Sequence, residues 1–536
     1  MRFCLAIILD IIRFIVLPVQ FQDREFCVPA EQLEERLEQT ASYLNDQYSS
    51  QKEFAFDLAP VITLPKPTAY YGRNGEQEHD FYFYEAVISA CRESKDAVDF
   101  SLYDNDGDGK VEGVILLCAG ESEADGTSED NIWPQQSFIS YKAPAIVLNH
   151  KTIDCYASLT ETCSTGVYAH EMGHILGLPD FYDVDGKASG GTTQGLWDST
   201  SVMDNGSAND KGCTPPFFNA IERQILGLGE DSLLGQGHHT LEPVRSNSRL
   251  RADTDTPGRY ILIECRDNAS WDRFCGGQGL LVYLIDRSEG EMQKLWMANR
   301  INCIPGKEGA RIIPALGDPQ RTGDVFFPKP GRSSLSLLEY GINLSLRNIR
   351  INADGSAEFD SIEPLHRFSV STFQDAAVVE WELDESIAGR SSCELEWQNA
   401  DGQTGTATTQ GSAYAIEGLE PNQSYTLTLA ITDADGETHR TRTHFKTNNA
   451  YRGIRPFIYL NDSERNADGS FKPGAKLPLR VYNSRPCVKV DWYMNGRGIS
   501  IGPDGYYHVS AGGELRAVIH YEDGSDEVLL KKINVR

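Results

Sequence analysis

The chain has 536 residues, 40% of them apolar and 24% charged, with a formal net charge of −29. Hydrophobic cores stop growing near ~250–300 residues, so one core is excluded and three or four domains are expected. The negative charge argues against nucleic acid as a partner, because its phosphates would be repelled, and it suits solubility and calcium binding. Twelve cysteines without a Cys-x-x-Cys pair make neither a disulfide scaffold nor a thiolate zinc cluster. Cys155 and Cys163 are close enough to staple a loop, but small buried hydrophobes are the expected role for most of the twelve.

The opening MRFCLAIILDIIRFIVLPVQF looks like a signal peptide. Asp10 and Arg13 interrupt its apolar run, and no small-residue cleavage site follows. It is also too charged to span a membrane, and no other stretch is long and apolar enough. IIRFIVLPVQF therefore reads as a buried strand that ends at Gln22-Asp23. A start just after a removed signal and prosegment, or a truncated start, fits this reading.

Amphipathic helices are expected over 30–50 and 78–98. Buried strands are expected at 111–120 (VEGVILLCAG) and 144–150 (PAIVLNH). STGVYAHEMGHILG reads as a helix with Ser164 or Thr165 as N-cap, Gly177 at its C-terminal stop and Pro179 beyond. PPFFNAIERQILGLG closes this α/β part with a short helix. Helices then give way to short runs of alternating polarity over 231–365 (RYILIEC, GLLVYLID, INLSLRNIRI), the pattern of sheet. Residues 366–447 carry Trp381 and the Leu419-x-Pro421-x-x-x-Tyr425 pattern of a tyrosine corner, and resemble a fibronectin type III module. Residues 448–536 resemble a second, immunoglobulin-like β-sandwich.

The chemistry concentrates in VYAHEMGHILGLPDFYD, residues 167–183. Residues four apart share one helix face, so His170 and His174 aim two imidazoles at one point. Glu171 lies one step round, too far to be a third ligand there but able to reach a water beside it. Two fixed nitrogens, an open coordination position and an adjacent base are the requirements of a zinc hydrolase. His-Glu-x-x-His alone recurs by chance in roughly one chain in sixty of this length, treating positions as independent. Gly177 and Asp180 at their offsets lower that to roughly one in ten thousand. The glycine lets the chain turn back sharply after the helix. Asp180 then stands where metzincins place a third histidine, and is the expected third zinc ligand. Asp183 and Glu222 are the competing carboxylates. Met203, in the turn-rich DSTSVMDNGS, fits a Met-turn beneath the zinc and equally fits a buried core methionine. No tyrosine follows Met203 closely enough to take the oxyanion-stabilising role, which stays unassigned.

A second constellation lies upstream. Asp104, Asp106 and Asp108 occupy positions 1, 3 and 5 of an EF-hand-like loop, with Gly109 at 6, the Lys110 carbonyl at 7 and Glu112 at 9. Position 12 is Ile115, so no bidentate glutamate closes the loop and a strand follows in place of a helix. The expectation is a structural calcium loop that is not an EF-hand, or else an Asp/Gly-rich turn without metal.

The His170–Asp183 segment, the upstream YDNDGDGKVEGVILLCAG, the isolated Trp133, AYYGRN, LWDSTSVMDNGS and TPPFFNAIERQILGLG together resemble the immune-inhibitor-A-like metallopeptidases. The likeness runs over roughly 11–350, taking in ILIECRDNASWD and GLLVYLIDRS. It implies a secreted bacterial zinc endopeptidase acting on proteins or peptides, in the extracellular space or periplasm and normally made with a prosegment. It carries His170 and His174 over as zinc ligands and Glu171 as general base. The resulting expectation is a multidomain chain: a zincin-type α/β (α+β) catalytic domain at 1–230, an all-β region at 231–365, and β-sandwich modules at 366–447 and 448–536. The sandwiches also admit a cell-surface or glycan-binding role, and with it the competing reading of an adhesin with a relic peptidase domain.

Overall fold

The structure is a computed structural model that describes residues 10–49, 52–76, 78–185, 198–317, 322–388, 391–448, 456–460, 466, 469–482 and 485–536. Residues 1–9 of the N-terminal apolar run, and Leu196 and Trp197 of the LWDSTS motif, lie outside the described residues. The chain forms two compact units. The first takes in Met1–Leu234, His239–Ser333 and Ile349–Phe359; the second takes in Gly235–His238, Ser334–Asn348 and Asp360–Arg536.

The first unit is built on a mixed sheet. Its main elements are β1 (Asp10–Gln20), α1 (Ala30–Gln47), β2 (Lys52–Leu58), α2 (Phe83–Ser94), β3 (Val114–Cys118), β4 (Gln135–Phe138), β5 (Cys155–Thr160) and α3 (Thr165–Ile175). Strand order is β2-β1-β3-β5-β4. The first three pairings are parallel, and the edge strand β4 runs antiparallel to β5.

Side-chain alternation explains why both faces are covered. Phe14 and Val16 on β1, with Ile115 and Leu117 on β3, point to one face and pack with Leu33, Leu37 and Leu44 of α1 and Tyr168, Ala169 and Met172 of α3. Ile15, Leu17 and Val19, with Val114, Leu116 and Cys118, point to the other face and meet Phe83, Val87 and Ala90 of α2. Near-continuous apolar runs, such as residues 14–19 and 114–118, are what a parallel sheet between two helical layers requires.

The part beyond residue 230 shares this core. A largely antiparallel sheet joins Ala310–Ile313, Gly279–Asp286, Arg259–Arg266, Leu250–Asp253 and Ser232–Leu233. Its Leu262, Leu281, Tyr283 and Ile312 belong to the same apolar cluster as Met172 and Met203. Two details depart from expectation. Glu291–Met297 is a two-turn helix within a stretch that reads as all sheet. The strand expected at 144–150 is only Ile146–Leu148, a hairpin arm in which Ile146 is buried and Val147 faces solvent. Cys155 and Cys163 are both unpaired.

In the second unit, a three-stranded sheet (Leu365–Thr372, Ala376–Leu383, Ala413–Glu417) and a four-stranded one (Thr404–Thr409, Ser392–Asn399, Ser424–Thr432, Thr438–Lys446) supply one core around Trp381, Leu395, Ile416, Leu427 and Ile431. The Tyr425 hydroxyl accepts the Glu420 backbone N–H at 2.9 Å and donates to Gln403 at 2.7 Å. A further antiparallel sheet over Cys487–Ile533 has its own core with Leu477, Trp492, Leu515 and Ile533.

Candidate metal centre

Helix α3 begins where Ser164, as N-cap, accepts the Val167 N–H on its hydroxyl. It stops at Gly177, whose φ of +104° only glycine adopts without strain. The Leu178 N–H returns to the Gly173 carbonyl at 2.9 Å, which turns the following residues back beside the helix. That reversal brings Asp180 to the two histidines. The His170 and His174 Nε2 atoms are 3.2 Å apart, and each is 3.2 Å from Asp180 Oδ1.

This triangle matches a metal's requirements. With zinc–ligand bonds of about 2.0–2.1 Å, tetrahedral geometry puts ligand atoms roughly 3.3 Å apart. Proton placement agrees. His170 Nδ1 lies 2.8 Å from the Val202 carbonyl, and His174 Nδ1 lies 2.8 Å from the Leu178 carbonyl. Carbonyls only accept, so each Nδ1 carries the hydrogen and each Nε2 of a neutral ring presents a lone pair. Asp180 Oδ1 is buried and takes no hydrogen bond. Three acceptor atoms this close repel one another unless a cation or a proton lies among them. Burial disfavours a charged His170, yet the Asp180 carboxylate outweighs it and lifts the imidazole to about 9 in the metal-free protein. Burial likewise opposes ionised Asp180, and the imidazoles overcome it, holding the carboxyl well below the usual range. The donor set of His170, His174 and Asp180 therefore fits a zinc ion and could hold one.

The competing carboxylates stand elsewhere. Glu222, in the helix Ala220–Ile225, forms a capping box with Asn219 and bonds the Ser201 hydroxyl. Asp183 groups with Asp185 and Cys303. Glu171 is 4% exposed and its Oε2 has no hydrogen-bond partner. Burial raises its carboxyl above the ordinary range against the pull of the two histidines.

Met203 is fully buried and packs on α3 where the helix has no side chain. A Cβ on Gly173 would lie 2.6 Å from the Met203 sulfur. The turn around it serves as scaffold. The Val202 carbonyl orients His170, and the Met203 carbonyl accepts the Phe181 N–H at 3.0 Å. Arg266 bonds the Thr200 carbonyl at 3.3 Å.

The donor triangle and Glu171 open onto a cavity of about 150 Å³ walled by Trp133 to Gln136 at the edge strand β4, by Tyr182 and by Asn299. A larger cleft of about 590 Å³ between α2 and residues 143–148 carries none of these donors. Sequence reasoning did not find Asn299. It donates to Asp180 Oδ2 at 2.7 Å and accepts the Asp180 N–H at 2.8 Å, and no spacing rule links positions so far apart. The Val202 and Leu178 carbonyls are backbone groups, so their roles leave no trace in residue identity.

In the upstream loop, ligand atoms of Asp104, Asp106 and Asp108 lie within 4.8 Å of one another. Glu112 is not in that group. Its Oε1 accepts the Asn105 and Asp106 N–H groups at 2.6 and 3.1 Å, while its Oε2 is buried without a partner. Lysines engage two of the aspartates, Lys151 at Asp104 and Lys110 at Asp108. The Asn105 amide holds the Arg13 backbone on both sides, which fastens the loop to β1.

Among the described residues, no helix is long and apolar enough to cross a membrane. Residues 18–227 match the family described as "Immune inhibitor A peptidase M6, catalytic domain". The chain is 27% identical over 223 residues to immune inhibitor A of Bacillus thuringiensis subsp. alesti, covering 36% of this chain and 32% of that protein. It thus spans about a third of that relative's length. Among solved structures, one titled "Myokine structure" aligns at 18% identity over 16% of this chain and 96% of its own. A computer-based redesign of a β-sandwich protein aligns at 16% identity over 18% and 98%. The TM-score is 0.15 in both cases, too low to carry a fold. Residues 18–227 are thus similar to the catalytic domain of the immune inhibitor A peptidase M6 family.

Proposed function

We propose that the protein is a secreted bacterial endopeptidase that hydrolyses peptide bonds in proteins with zinc held by His170, His174 and Asp180 and with Glu171 as general base. The observation that carries this is the triangle of lone-pair atoms 3.2 Å apart beside a buried carboxylate with an uncommitted oxygen. Zinc, when bound, supplies Lewis-acid polarisation of the scissile carbonyl and acidifies water toward pKa ~7. Glu171 takes the water's proton and returns it to the leaving amine. Burial supports that exchange by moving its carboxyl up toward the pH at which it works. The edge strand β4 lends the cleft a wall. The mixed sheet between helical layers supports a zincin-type catalytic domain, the cluster of Asp104, Asp106 and Asp108 supports a structural calcium loop completed by the Lys110 carbonyl and Glu112, and the Tyr425 corner supports a fibronectin type III-like module followed by an immunoglobulin-like one.

The test is Glu171→Gln on the full chain with casein as substrate and zinc content measured in parallel. The expected variant keeps its zinc and loses casein cleavage by several orders of magnitude. A variant that still cleaves at the wild-type rate would defeat the assignment. A wild-type chain that binds zinc but cleaves nothing would favour the adhesin reading instead.

A further inference from the structure

We infer that Asn299 is a positioning residue of the metal centre, supplied by a part of the chain well past the matched catalytic segment, and that it fixes which oxygen of Asp180 the metal receives. The inference rests on the zinc-peptidase reading.

The local sequence explains how the amide gets there. Helix Glu291–Met297 has Ala298 as its C-cap. The Asn299 N–H returns to the Trp296 carbonyl at 3.3 Å, and the Arg300 N–H returns to the Leu295 carbonyl at 2.9 Å. These are the two bonds of a Schellman motif, which needs a left-handed residue just past the cap. Asn299 has φ +53°, and asparagine tolerates that region better than other residues with a side chain. One residue therefore ends the helix and presents an amide to the site.

The orientation of that amide is fixed by chemistry. The Asp180 backbone N–H can only donate, so the oxygen of Asn299 faces it, at 2.8 Å. The amino group then donates to Asp180 Oδ2 at 2.7 Å. With Oδ2 engaged, Oδ1 is the oxygen left among the two imidazoles. The neighbours of Asn299 grip the same loop. Trp296 meets Phe181 edge-on at 6.2 Å, and Asn302 donates to the Phe181 carbonyl at 2.8 Å. Outer partners that orient a metal-bound carboxylate typically change metal affinity 10–100-fold when removed.

Asn299→Gly is the decisive substitution, because glycine keeps the left-handed cap while deleting both hydrogen bonds. Zinc affinity is measured on the full chain by competition with a chromophoric chelator, in wild type, N299G, D180A and the double variant. The expected result is a 10–100-fold loss in N299G. In the D180A background the same substitution should change affinity by no more than about twofold, since the carboxylate that Asn299 orients is gone. Wild-type-like affinity in N299G overturns the inference, and so does an equal loss with and without Asp180, which would make Asn299 a general loop anchor. A wild-type chain that takes up no zinc would sink the zinc reading as well, whereas a zinc-binding wild type with an indifferent N299G sinks this inference alone.

Discussion

Gly173→Ala sets two known effects against each other. In an exposed helix the change stabilises by about 1 kcal/mol, because glycine loses more backbone freedom on folding. Here the added Cβ would stand 2.6 Å from the Met203 sulfur and 3.4 Å from Leu178 Cδ1. Ordinary carbon contacts lie near 3.5–4.0 Å, so something must give by about 1 Å. Met203 is fully buried, and the carbonyls of residues 202 and 203 are committed to His170 and Phe181. Overpacking of this kind costs about 1–3 kcal/mol, which outweighs the propensity gain or cancels it. G173A is therefore expected to be destabilised by about 0–2 kcal/mol and to bind zinc more weakly, since a displaced turn moves the group that orients His170. Met203→Ala alone should cost about 2–5 kcal/mol through the cavity it leaves. In the double variant the clash is gone and the alanine gain survives, so it should be more stable than M203A by about 1 kcal/mol. Hydrogen exchange of the α3 amides in metal-free protein is the suitable readout, because a chain with two compact units need not unfold in one step. Stabilisation of G173A by a full ~1 kcal/mol, or additivity of the two substitutions within about 0.5 kcal/mol, would refute the claim that these positions are in tight contact.

Two further outcomes are expected. In the metal-free protein the pairing with Asp180 raises His170 to about 9, so its stabilising contribution is present in full below the unfolded value near 6.5 and is lost as pH rises through 9. Thermal midpoints in a zinc chelator should fall over that window in wild type and flatten in His170→Gln; parallel curves would contradict the pairing. Calcium added to chelator-treated protein should raise the thermal midpoint of the first unit, by the equivalent of about 2.7 kcal/mol at a hundredfold excess over Kd. The shift should vanish in Asp104→Ala and in Asp106→Ala; a shift that survives both places the ion elsewhere.

What could be read in advance follows the range of the interactions involved. The juxtaposition of His170 and His174 is a consequence of helical period alone, and Gly177 announces the reversal that delivers Asp180 within six residues. β1 and β3 are legible because residues 14–19 and 114–118 form unbroken apolar runs. Asn299 is not legible, because its relation to Asp180 exists only after the 296–302 segment packs on the same core. The helix that carries it spans only Glu291–Met297 within a region of alternating strands, too short for a period to emerge against that background. Glu222 misleads for a related reason. Its spacing leaves it free to be a ligand, and only the fold shows it spent on Asn219 and Ser201.

The most direct measurement is zinc anomalous diffraction from crystals of the zinc-loaded full chain. The predicted result is one strong peak about 2.0–2.2 Å from His170 Nε2, His174 Nε2 and a single oxygen of Asp180, with Glu171 beside it and not bound to it. A peak coordinated by Glu222, or one seated among Asp183, Asp185 and Cys303, would contradict it.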